Sequence, residues 1–298
     1  MHVSSRDIQA FLALVELKNF TRAAQQCHLS QPAFSALIKA LEDSVGLKLF
    51  DRSTRHVLLT PEGERFHVFA ERMAAELRAC EHSMRDAALL NEGQVCVALL
   101  PSLAAGWLPE ILARFMAVHP GIHVKVLDVL SEPCIHAVAQ GEADFALAAI
   151  AADTPDLQAQ PFCSDAFHLV CKTDHPLALQ DQIAVPDLQP WPFVHLVRHS
   201  SVRHALEAAF FPHHMHTLVE VEQLATVMGL VQAGLGISVV PSLALFHFAQ
   251  PGLVTRPLQL AGLERHIYLV QRRDRSLSVA AQALSSMMQA HRPEFAQA

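Results

Sequence analysis

Four side chains at helical spacing carry the chemistry most easily read from this sequence: Gln31, Pro32, Ser35 and Lys39. An amide, a hydroxyl and an ammonium in a row along one helix face are the groups that hydrogen-bond base edges and phosphates in a major groove. Gln31 and Ser35 are one turn apart and reach base edges together, while Lys39 lies a further turn along, nearer the backbone. Further on, Arg52 and Arg55 occupy a polar, basic tip, and their guanidinium groups suit phosphate or minor-groove contacts. A second kind of chemistry is spread through the rest of the chain. Pro101-Ser102, Ser131 and Ser200-Ser201 each follow an apolar run and open a helical pattern, so hydroxyls and free backbone N–H groups gather at the carboxyl ends of strands. That arrangement favours a small anion such as a carboxylate-bearing metabolite, with Arg198 or Arg203 as countercharge. The same serines also serve as plain helix caps.

The elements that must position these groups can be read in order. Ile8, Phe11, Leu12 and Val15 give a first helix over 5–17, with caps at Ser4 or Ser5. A short helix follows from Phe20, capped by Thr21. The longer helix that carries the polar row is capped by Ser30, has Pro32 in its first turn and stops at Gly46. Phe34, Ile38, Leu41 and Val45 form its apolar stripe. Residues 49–60 give two short extended segments around the basic tip, a hairpin beside the polar row. From Pro61 to about Leu90 one long helix repeats Phe66, Ala70, Met73, Leu77, Cys80, Met84 and Ala87 as a heptad. Such a seam predicts dimerisation through Phe66, Met73, Leu77, Cys80 and Met84; the alternative is that it packs on the body of the same chain.

After Asn91-Glu92-Gly93 the pattern changes. Uninterrupted apolar strands alternate with amphipathic helices, the sequence form of a parallel α/β sheet. The rhythm runs through 95–100, 107–118, 124–129, 131–140 and 144–150, then again through 167–171, 193–197, 202–210, 218–221, 224–232 and 237–240. A last strand at 266–271 and a helix at 278–290 return. Two α/β units flanking a cleft are expected.

Composition bounds the function. A chain of 298 residues with 51% hydrophobic and 17% charged residues is globular and exceeds one comfortable core. No apolar run spans a bilayer and no secretory signal pattern opens the chain, which places it in the cytoplasm. The first 60 residues hold seven Lys and Arg against five Asp and Glu, whereas residues 91–298 hold eleven against eighteen. A small basic reader on an acidic body follows. The cysteines at 27, 80, 96, 134, 163 and 171 form no Cys-x-x-Cys and no disulfide framework. His213-His214-Met215-His216 reads as a solvated loop rather than a metal site, and Cys163 and Cys171 as structural. No nucleophile elbow, P-loop or dinucleotide fingerprint occurs, so no enzyme, metal or cofactor is expected. A transport-type solute-binding protein fits the C-terminal part alone, and the N-terminal 90 residues argue against it.

With these residues in place, the chain resembles LysR-type transcriptional regulators over its whole length. Phe20, Ala23-Ala24, Leu29-Ser30-Gln31-Pro32-Ala33, Ser35, Ile38, Leu41-Glu42, Gly46, Leu49-Phe50-Asp51-Arg52, Leu59-Thr60 and Gly63 stand where that family's signature has them. Gly141-Glu142-Ala143-Asp144, His175-Pro176-Leu177-Ala178 and Val231-Gln232-Ala233-Gly234-Leu235-Gly236-Ile237 match its effector part. One departure is Cys27, where an apolar Leu is usual. The resemblance implies an α+β protein: an all-α-type winged helix-turn-helix over 1–61, a linker and dimerisation helix over 62–90, and a two-subdomain α/β effector domain over 91–298 resembling a periplasmic binding protein. Subdomain I takes 91–164 and 266–298, and subdomain II takes 165–265. It also implies an inducer pocket with Ser102 and Ser131, whose wall is lined by Phe145, Ala148 and Gly234. The implied partners are double-stranded DNA, a small-molecule effector, RNA polymerase and further copies of the chain, as dimers pairing into tetramers.

Overall fold

A computed structural model describes residues 3–52, 57–260 and 262–293, with the side chain of Arg52 left aside. The chain divides into two compact units, Met1–Asp86 and Ala87–Ala298. In the first, α1 (Ser5–Leu17) begins with a reciprocal cap: the Ser4 hydroxyl accepts from the Asp7 N–H, and the Asp7 carboxylate accepts from the Ser4 N–H at 2.8 Å. α2 (Phe20–Gln26) is capped by Asn19, whose Oδ1 accepts from the Arg22 N–H, and not by Thr21, which falls inside the helix. α3 (Gln31–Val45) starts on the Ser30 hydroxyl and ends at Gly46 with φ +77°, a left-handed stop that glycine adopts without Cβ strain. Phe34, Ile38 and Leu41 are buried with Ile8, Phe11 and Leu14 of α1 and Ala23 and Ala24 of α2. Each large apolar side chain so removed from water contributes about 1.5–3 kcal/mol.

β1 (Phe50–Arg52) and β2 (Val57–Leu59) pair antiparallel, and Glu42 of α3 fixes their entry by accepting from the Leu49 and Phe50 N–H groups at 2.9 and 3.1 Å. α4 (Pro61–Ala88) begins on Thr60, whose hydroxyl accepts from the Gly63 N–H and donates to the Lys48 carbonyl. Gly63 permits this close approach, because a Cβ there would lie 2.1 Å from the Leu49 carbonyl oxygen.

The second unit carries β3 (Gly93–Leu99), α5 (Pro101–Gly106), α6 (Leu108–Val118), β4 (Ile122–Asp128), α7 (Ser131–Ala139), β5 (Phe145–Ala148) and β6 (Leu157–Asp165). Next come β7 (Phe167–Lys172), α8 (Val185–Leu188), β8 (Pro192–Leu196), α9 (Ser201–Phe210), β9 (His216–Val221), α10 (Leu224–Gln232) and β10 (Ser238–Pro241). β11 (Leu253–Leu258), β12 (Arg265–Arg272) and α11 (Val279–Ala290) complete it. One five-stranded sheet has the order β4-β3-β5-β12-β6 and another of three strands the order β10-β7-β11, while β8 and β9 form a parallel pair joined to β10's approach through a Phe193–Ile237 bridge. The expected all-parallel character holds for β4-β3-β5 and for β8-β9 only. β12 runs antiparallel to both neighbours, and β7 is antiparallel to β10 and β11. Pro101-Ser102 opens the short α5. The chain leaves the five-stranded sheet at Asp165, with β7 beginning two residues later, and returns to it at Arg265.

Candidate functional site

On α3, Gln31, Pro32, Ala33, Ala36, Lys39 and Ala40 are exposed and Ser35 is half-buried. Helical spacing puts Pro32, Ala36, Lys39 and Asp43 along the middle of the exposed face, with Gln31 and Ser35 on its shoulder. The face therefore carries hydroxyl, amide, methyl and ammonium groups on a helix that its own cap and core hold rigid. The acid at Asp43 was not singled out from sequence, although its exposure follows from the same period. Of the two wing arginines, Arg52 lies on β1, which leads into the tip, and Arg55 lies outside the described residues.

The seam on α4 divides. Phe66 is half-buried and meets the Phe11 ring edge-on at 4.9 Å, so it is spent inside its own unit, as are Ala70 and Ala74. That corrects the reading of Phe66 as a seam residue. Met73 (46% exposed), Leu77 (41%), Cys80 and Met84 (62%) remain open, joined by Phe69 at 60%. Leu77 also borders a groove of about 510 Å³ between α1, the α2–α3 turn and α4.

In the second unit an open cavity of about 360 Å³ has walls from α7, from the start of α9 and from β12. Ser131 lines it and is held there by accepting from the Ala149 N–H at 3.1 Å. Arg265 also lines it; its Nη2 donates to Asp165 Oδ2 at 2.6 Å and to Ser102 Oγ at 2.9 Å, and Asp165 Oδ1 accepts from the Leu243 N–H. Burial raises the Asp165 carboxyl above its ordinary range, and the Arg265 guanidinium opposes that rise. Ser102 thus reaches the cavity only through Arg265. The other expected effector contacts lie elsewhere. Ser200 caps α9 by accepting from the Arg203 N–H. Arg203 is turned away from the cavity, its Nε on Glu207 at 2.7 Å and its Nη2 on Thr217. Phe145 and Ala148 are fully buried core, and Gly234, at φ +81°, ends α10. One residue past Arg203, His204 lines the cavity with His199 and His266, none of which sequence reasoning had picked out.

Three thiols of the second unit are quiet. Burial pushes Cys134 and Cys163 up to about 12 and Cys171 to about 11, so all three stay protonated at neutral pH. Among the described residues, no group of His, Cys, Asp and Glu is arranged to hold a metal ion and no helix is long and apolar enough to cross a membrane.

Comparison with known proteins agrees with this arrangement. Residues 5–64 match the bacterial regulatory helix-turn-helix protein family of the lysR type, and residues 89–293 match the LysR substrate binding domain. The HTH-type transcriptional regulator YfeR of Shigella flexneri is 32% identical over 95% of this chain and 92% of its own length. The RuBisCO operon transcriptional regulator of Allochromatium vinosum is 31% identical over 95% and 94%. Among solved structures, a full-length OxyR from Pseudomonas aeruginosa has a TM-score of 0.80 at 22% identity, over 96% of this chain and all of that one. CbnR complexed with its target DNA has a TM-score of 0.68 at 19% identity, over 97% and 99%, and both share the fold. With both family models matched and relatives above 30% identity along nearly its whole length, the chain belongs to the LysR family of DNA-binding transcriptional regulators, with a substrate-binding domain for effector ligands.

Proposed function

We propose that this regulator reads an inverted repeat as a dimer and that a small anionic effector in the 87–298 unit changes its DNA binding. The supporting observation is the cavity whose walls come from both sides of the β6–β7 and β11–β12 crossovers, since closing on a ligand there alters the angle between the two sheets. The reader spans 1–61, the connecting helix 62–90 and the effector domain 91–298, with subdomain I at 91–164 and 266–298 and subdomain II at 165–265. Gln31, Pro32 and Ser35 contact base edges; Lys39, Arg52 and Arg55 contact the backbone. Phe69, Met73, Leu77, Cys80 and Met84 form the seam between copies, dimers pair into tetramers, and the bound assembly engages RNA polymerase in the cytoplasm. The protonated state of its buried thiols supports a ligand signal rather than a thiolate-based redox signal.

A mobility-shift titration with the DNA upstream of its own gene, repeated across salt, tests this. Gln31→Ala or Ser35→Ala should lose sequence discrimination of about 1–3 kcal/mol, and Lys39→Ala should lower the salt slope by about one. No specific retardation of that DNA overturns the reading.

A further inference from the structure

We infer that the cleft takes up its anion together with a proton, through the imidazoles of His199, His204 and His266. The inference rests on the anionic reading of the cleft. His199 precedes α9, His204 lies in its first turn and His266 lies on β12; all three line one cavity and all three are exposed, so none is there to fill a core. His266 Nδ1 is 3.0 Å from Ser164 Oγ, and its Nε2 is 4.0 Å from Glu264 Oε2.

The cavity has the makings of an anion site. The nine-residue α7 and ten-residue α9 both bring their first turns to it, through Ser131 and Ser201, and no side chain caps α7. Arg265 is only 5% exposed, lines the cavity, and has an Nε that finds no acceptor among the described residues.

The charge balance opposes an anion while the imidazoles are neutral. Arg265 is already matched by Asp165 behind it, Tyr268 brings a phenol hydroxyl, and on the far side of α9 Arg203 and Glu207 pair with each other. Glu132 of α7 and Glu264 before β12 then leave the lining negative. Imidazole is the side chain that gains charge between pH 5 and 8, and protonation of the three reverses the balance. An anion within about 4–6 Å favours the imidazolium, so the liganded cleft holds more protons, and by reciprocity a lower pH tightens anion binding.

Isothermal titration calorimetry of the full chain tests this with sodium sulfate and sodium oxalate, both dianionic at about pH 6.5 and about pH 8.5, in two buffers of different ionisation enthalpy. The expected result is about fivefold tighter binding at the lower pH, what one imidazole with a roughly tenfold stronger hold on its proton in the liganded cleft supplies over this range, with net proton uptake. His199→Asn, His204→Asn and His266→Asn combined should bring the two affinities within about twofold of each other; His204→Asn alone, on an exposed face, gives a smaller loss of pH dependence if the triple variant misfolds. Equal affinity at both pH values, or pH dependence that survives the triple variant, overturns the proton linkage and leaves the anionic effector standing. No binding of either anion at either pH overturns both. Stoichiometric binding of zinc alone, lost in the triple variant, reassigns the imidazoles to a metal and also overturns the proposal.

Discussion

Replacing Asp165 by Asn strips one charge from a pair that is almost wholly withdrawn from water: Asp165 is fully buried, Arg265 is 5% exposed, and they meet at 2.6 Å. Removing one member of such a pair costs about 3–5 kcal/mol, because the other charge stays buried without compensation. An Asn oxygen still accepts one bond from the guanidinium, which returns about 1 kcal/mol, so the net loss is about 2–4 kcal/mol. In a unit of this size each kcal/mol lowers Tm by about 2–4 °C, which places the expected fall at roughly 5–15 °C. Scanning calorimetry of the full chain, with near-ultraviolet circular dichroism to assign the transition, measures it. Asp165→Asn together with Arg265→Met should recover most of the loss, since the stranded charge is then gone. A fall below about 2 °C, or a double variant no more stable than the single one, refutes the reasoning.

Three further outcomes follow from the same structure. Gly63→Ala drives a Cβ to 2.1 Å from the Leu49 carbonyl oxygen, so α4 must lift from the hairpin; chemical denaturation of the first unit should show a loss of about 2 kcal/mol or more. Leu77→Glu places a carboxylate on the proposed seam, and analytical ultracentrifugation should show the assembly shifted toward monomer with the thermal midpoint of the monomer unchanged. His195 is buried against Phe193, and burial, with Arg203 adding to it, holds its imidazole down at about 3. The unfolded chain therefore binds the extra proton between about pH 6.5 and 3, so stability is lost as pH falls through that window, by up to about 1.4 kcal/mol per unit, and His195→Leu should flatten the profile.

Local chemistry made much of the fold legible. Ser30, Pro32 and Gly46 mark both ends of α3, and the four-three-four spacing of its apolar residues marks its buried face, because caps and stripes act within one helix. At α2 the cap is Asn19 and not the expected Thr21, because Asn19 has the extended backbone that lets its oxygen reach the Arg22 N–H. β6 and β11 left no comparable signal. β6 pairs along one side only and carries Gln158, Gln160 and Pro161, while β11 carries Arg256 and Pro257, so neither reads as an apolar run. The cavity was legible at Ser131 and Ser201, the two helix-opening serines that line it. Ser102 is drawn to a guanidinium supplied from residue 265, and Arg203 faces Thr217 because of where β9 lies; such contacts across long separations leave no trace in spacing. His204 differs from Arg203 by one helical step, enough to move it to the cavity side.

The position of β12 has a consequence for the order in which the molecule is built. It lies between β5 and β6, yet it follows them by roughly a hundred residues of chain, and the whole three-stranded sheet is made in between. Until it arrives, β5 and β6 have no partner on their facing sides, and each offers an unpaired edge to other chains. During synthesis the five-stranded sheet is therefore completed by an interior strand rather than at its rim. A chain that ends before Arg265 would hold β5 and β6 in a split sheet, with both facing edges open.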